Sequence, residues 1–123
     1  MIDHELLGDK GILVLQPKSA MAADDFRRIA TVVDPYILEN GKLTGLLIEV
    51  TSFPGWESLS AMIEHMKFVK DHQRRIDRVA VVTDSHFVKI APKIASHFAH
   101  PAFRVFAGGE RQNAMAWLEK TAE

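Results

Sequence analysis

The chain has 123 residues, 47% hydrophobic and 25% charged, with a formal net charge of −1 and no cysteine. A chain of that length and composition is expected to form one ordinary globular domain, 1–123, with a core large enough to need no staples. Disulfides, thiolate metal sites and cysteine nucleophiles are excluded, and the charge argues against a broad nucleic-acid surface.

Met1-Ile2-Asp3-His4-Glu5 is acidic and does not read as a basic-then-apolar leader. No apolar run approaches the roughly 20 residues that span a bilayer. These features lead us to expect a cytoplasmic protein, with peripheral membrane contact still open.

Residues 4–7 and 11–16 read as two strands joined through Gly8-Asp9-Lys10-Gly11, a polar, glycine-bounded hairpin connection ended by Pro17. Ala22 to about Val33 reads as an amphipathic helix, with Phe26, Ile29, Ala30, Val33 and Ile37 on one face. Asp24 and Asp25 lie in its first turn, where the helix dipole favours negative charge. Pro35 is expected to break or kink it, and Asn40-Gly41 to close the segment.

Leu46 to Ile48 form an apolar run typical of a strand covered on both faces. Pro54-Gly55 then turns the chain into a helix expected from about Glu57 to Arg74, with Leu59, Met62, Ile63, Met66 and Val69 as its core stripe. Arg78 to Thr83 is a β-branched strand, expected to lie parallel to the Leu46–Val50 run because one crossover helix joins them. A helix over about His86 to Phe98, divided by Pro92, precedes a strand over 102–106 and a last helix from Glu110 to Lys120 burying Ala114, Trp117 and Leu118. The order ββαβαβαβα predicts an α/β fold: a mixed, mainly parallel sheet with an antiparallel edge hairpin and helices packed on it.

No catalytic motif stands out. Asp84-Ser85-His86 holds the residue types of a hydrolytic triad, but adjacent residues do not converge as a triad must, and capping explains Asp84 or Ser85 better. The pairs His65/His72 and His97/His100 come without a third metal ligand, and Gly108-Gly109 lacks the spacing of a phosphate loop. We therefore expect no cofactor and no enzymatic activity, an unrecognised hydrolase being the remaining alternative.

Trp56 follows the central strand, at the end of the sheet where α/β folds hold ligands, and suits either a pocket or a core plug. Between residues 86 and 100, Phe87, Ile90, Ala91, Ile94 and Phe98 form an apolar side, with Lys89, Lys93, His97 and His100 on another. Such a segment covers a sheet or lies on an anionic membrane. Together with the family resemblance described next, this makes the leading expectation a binding module for an apolar small molecule or lipid, lined by Phe53, Trp56, Phe87 and Ile90, with Lys89, Lys93 and His97 at the membrane surface.

Several phrases resemble the SpoIIAA-like family of small bacterial proteins: Asp24-Asp25-Phe26, Phe53-Pro54-Gly55-Trp56-Glu57, Val81-Val82-Thr83-Asp84-Ser85, Ala95-Ser96-His97-Phe98 and Ala114-Met115-Ala116-Trp117-Leu118. That family is similar to STAS domains and CRAL-TRIO lipid-transfer domains. The resemblance implies a mixed sheet, no catalytic apparatus, apolar-ligand or membrane binding, and self-association, here as a homodimer. Anti-anti-sigma STAS regulators carry Asp-Ser-Ser-Gly at the start of the helix after the central strand. Glu57-Ser58-Leu59-Ser60 matches it in an acid and one serine only. Ser58 is accordingly the candidate phosphosite of an alternative reading, a protein–protein regulator, with an ordinary helix cap as the simpler role.

Overall fold

The computed structural model describes residues 1–51, 54–84 and 102–120. Their strands form a single five-stranded sheet in sequence order: β1 (Ile2–Leu7), β2 (Ile12–Pro17), β3 (Leu43–Glu49), β4 (Ile76–Thr83) and β5 (Ala102–Ala107). β1 and β2 pair antiparallel, Leu7 opposite Ile12, around a turn in which the Lys10 and Gly11 amides donate to the Leu7 carbonyl. Every other pairing is parallel, including Leu46 beside Val79 and Ile48 beside Val81, as expected for two apolar runs joined by one crossover.

The central strands are buried on both faces, so their alternate residues feed two cores. Leu13, Leu15, Leu46, Val79 and Val81 meet Phe26, Ile29, Val33 and Ile37 of α1 (Ala23–Asn40). Ile12, Val14, Leu47, Ala80, Val82 and Phe106 meet Ala114 and Leu118 of α3 (Arg111–Glu119) on the opposite face. Gly45 of β3 lets α3 approach closely: a Cβ there would lie 2.9 Å from a Leu118 methyl carbon.

Two local expectations are corrected. α1 does not break at Pro35 but continues to Asn40, where Gly41, at φ 88°, accepts the left-handed closing conformation. Val33 and Ile37, on either side of the proline, are both buried in the core, and that packing outweighs the one helical hydrogen bond proline removes.

The second correction concerns α2 (Leu59–His72), which continues as a 3₁₀ turn over Gln73–Arg75. Its inward face is Ala61, His65, Phe68 and His72, against α1, while Leu59, Ile63 and Met66 of the expected core stripe are exposed. Met62 and Val69 are half-buried between the two faces. The apolar arc of this helix is wide, and ring stacking with hydrogen bonds to α1 selects which side turns inward. The expected helix over 86–98 lies outside the described residues.

Candidate functional site

The turn after β3 is tied to its surroundings by hydrogen bonds. The Val50 amide donates to the Val82 carbonyl at 3.0 Å, and the Thr83 hydroxyl to the Thr51 carbonyl at 3.2 Å. Beyond them, Met21 and Trp56 form a short parallel bridge: the Met21 amide donates to the Gly55 carbonyl and the Glu57 amide to the Met21 carbonyl, both at 2.8 Å. Gly55, at φ 76°, supplies the left-handed step that brings Trp56 to this position.

Trp56 is half-buried against the α1 side of the core. Its indole Nε1–H donates to His65 Nδ1 at 3.1 Å. His65 in turn stacks on Phe26, with centroids 4.8 Å apart and rings within 10° of parallel. Phe26 meets Phe68, and Phe68 stacks on His72 at 4.0 Å. An aromatic ladder therefore runs the length of the α1–α2 seam.

The two histidines on it differ chemically. The indole is only a donor, so His65 Nδ1 must be unprotonated there. Burial, which penalises the charged ring, holds the His65 pKa below the ordinary 6.5. His72 instead has an oxygen beside each ring nitrogen, the Phe68 carbonyl at 2.7 Å and the Asp34 carboxylate at 2.6 Å. Among the described residues no three His, Asp or Glu side chains come together as metal ligands.

The amino end of α1 separates its two acids. Asp24 is exposed and pairs with Arg27 at 2.6 Å. Asp25 is 1% exposed and accepts from the Ala22 amide at 2.8 Å, the Ile2 amide at 3.3 Å and Arg28, with the Met1 ammonium 3.2 Å away. Burial pushes the Asp25 pKa up, but the Ala22 bond, the ammonium and the Ile2 bond outweigh it and leave the carboxyl below its ordinary 3.8.

Ser58 caps α2: its hydroxyl accepts from the Ala61 amide at 3.1 Å. From that cap the solvent side of the helix carries Leu59, Ile63 and Met66, exposed by 69%, 49% and 53%. Exposed Lys70 continues the same line, with exposed Lys67 and Arg74 beside it. At about 3.6 residues per turn, Glu64 and exposed Asp71 flank this line beside Lys67, Glu64 lying 3.9 Å from Arg27 and 4.0 Å from Lys67. The line of Leu59, Ile63, Met66 and Lys70 is therefore apolar and basic, with Glu64 and Asp71 at its edge beside Lys67.

Of the expected pocket lining, Trp56 is placed as described, and Phe53, Phe87 and Ile90 lie outside the described residues, as do Lys89, Lys93 and His97. An open groove of about 420 Å³ lies elsewhere, beside β5 and α3, lined by Arg104, Phe106, Asn113 and Trp117 among others. Trp56 has no part in it. The exposed face of α2 escaped the sequence reading because its apolar residues have core-like spacing. One available signal was His65 and His72, seven apart, marking a second face.

A sequence model of the SpoIIAA-like family matches residues 12–119. The chain belongs to the SpoIIAA-like family. Among solved structures, this SpoIIAA-like chain is similar to an uncharacterised protein of the DUF3478 family with a SpoIIAA-like fold from Shewanella loihica PV-4. The two are 22% identical, with a TM-score of 0.73 over 96% of this chain and 92% of that one. No curated protein matches. The mixed sheet flanked by helices is thus the family fold, and no helix among the described residues is long and apolar enough to cross a membrane.

Proposed function

We propose that this SpoIIAA-like chain is a non-enzymatic binding module that docks peripherally on anionic lipid through the outward face of α2. The observation that carries this reading is the exposure of Leu59, Ile63 and Met66 beside Lys67, Lys70 and Arg74 on the outward side of α2. Large apolar side chains held in water gain by entering the boundary between headgroups and acyl chains. Each basic residue near an anionic surface adds about 1 kcal/mol. The sequence reading assigned this chemistry to residues 86–100, and α2 offers it independently. The alternative, a STAS-like regulator switched at Ser58, has less support, because the capping bond already accounts for that serine.

The test is cosedimentation at low salt with phosphatidylglycerol-containing vesicles, and with phosphatidylcholine vesicles as control. The native chain is expected in the pellet with anionic vesicles only, and to be released by added salt. The Lys67→Glu/Lys70→Glu and Ile63→Ser variants are expected to remain in the supernatant while keeping the native circular dichroism spectrum. Native protein left in the supernatant with anionic vesicles would refute the reading.

A further inference from the structure

The junction between the β3–α2 turn and α2 carries a chemical asymmetry that the binding reading does not use. The backbone of Gly55, Trp56 and Glu57 is pinned to Met21, yet the Trp56 side chain is joined to α2 through His65 Nδ1. A hydrogen bond from an indole needs an acceptor, and a histidine nitrogen is an acceptor only while it lacks its proton. We propose that the Trp56–His65 hydrogen bond is an acid-released latch, closed while His65 is neutral and opened when Nδ1 gains a proton. Protonation would turn the acceptor into a second donor, leaving two N–H groups facing each other.

The charged groups around His65 are largely paired with one another. On α1 its ring lies against Phe26, and the nearby charges there, Asp24 and Arg27, pair with each other. On α2, Glu64 has Arg27 at 3.9 Å and Lys67 at 4.0 Å. The turn contributes exposed Glu57. Burial delays protonation without preventing it, placing release below the ordinary histidine value of 6.5. The stack on Phe26 needs no hydrogen bond, so the histidine can stay in place when its bond to the indole is lost. Trp56 lies three residues before Leu59, so opening the bond would alter the amino end of the α2 face. That last consequence rests on the membrane reading; the latch does not.

The experiment follows the two indole N–H resonances by ¹H–¹⁵N NMR from about pH 7.5 to about pH 5. Trp117→Phe identifies the Trp56 signal. The Trp56 signal is expected to move along a single titration curve with a midpoint below 6.5, while the Trp117 signal stays in place. His65→Asn keeps an oxygen or amide near the Nδ1 position without titrating, and should hold the Trp56 signal constant. His65→Phe keeps the ring stack, removes the acceptor, and should hold the signal at its acid position throughout. A native Trp56 signal that stays constant across the range, or moves equally in His65→Asn, would overturn the latch. Vesicle binding by the same proteins is read separately: a titrating signal without binding leaves the latch standing and removes the membrane reading.

Discussion

His65 and Asp25 both titrate below their ordinary values, for different reasons and in different pH windows. His65 is depressed by burial, so its unfolded form takes a proton first as pH falls. Stability from the neutral, Trp56-bonded ring is complete above about pH 6.5 and is lost as pH falls through the lower folded-state value. Asp25 keeps its charge through its bonds to Ala22, the ammonium and Ile2, so its contribution is lost only below the ordinary 3.8. Urea unfolding should therefore show a lower midpoint at about pH 5 than at about pH 7.5, and His65→Asn should flatten that difference. An equal pH dependence in the two proteins would contradict this assignment. The first-turn position of Asp24 and Asp25 was visible in the sequence, but their separation into an exposed acid and a buried one was not. Only the packing of β1 beside α1 brings the Ile2 amide to Asp25.

At the scale of elements, α2 joins a simple start to an unexpected orientation. Ser58 bonds the Ala61 amide, so Ser58→Ala should destabilise the protein by about 0.5–2 kcal/mol in thermal or urea unfolding. Lipid binding should survive, since the serine contributes only the cap. Stoichiometric phosphate on Ser58 that controls binding of a partner would instead restore the regulator reading. The orientation of α2 was illegible because hydrophobicity cannot rank His65 and His72 above Leu59 and Ile63. Their inward position depends on Phe26 and Asp34, which come from a distant helix, as well as on nearby Trp56. Pro35 shows the same limit, since an isolated helix would suffer at that residue while a helix packed at Val33 and Ile37 continues through it.

For the whole molecule, Gly45 marks a tight contact between the sheet and α3. Gly45→Ala would set a Cβ 2.9 Å from Leu118 Cδ2 and 3.1 Å from its Cβ. Leu118 is fully buried and has little room to yield, so the variant should be destabilised by about 1–3 kcal/mol. Adding Leu118→Ala should cost less in the Gly45→Ala background than in the native one, because the clash is relieved. Additive effects in the double-mutant cycle would show that the two positions do not press on each other.

The sheet was largely readable from the chain. Consecutive apolar runs at Leu46–Ile48 and Val79–Val82 can be satisfied only by burial on both faces, and the helix between them makes parallel pairing the economical connection. The hairpin between β1 and β2 and the Gly41 closure follow from short-range turn chemistry that needs no distant partner. The aromatic ladder, the state of His65 and the exposure of the α2 stripe depend on contacts between residues far apart in sequence. Periodicity reports that a helix has an apolar side; which side finds a neighbour is settled when α1 and α2 meet.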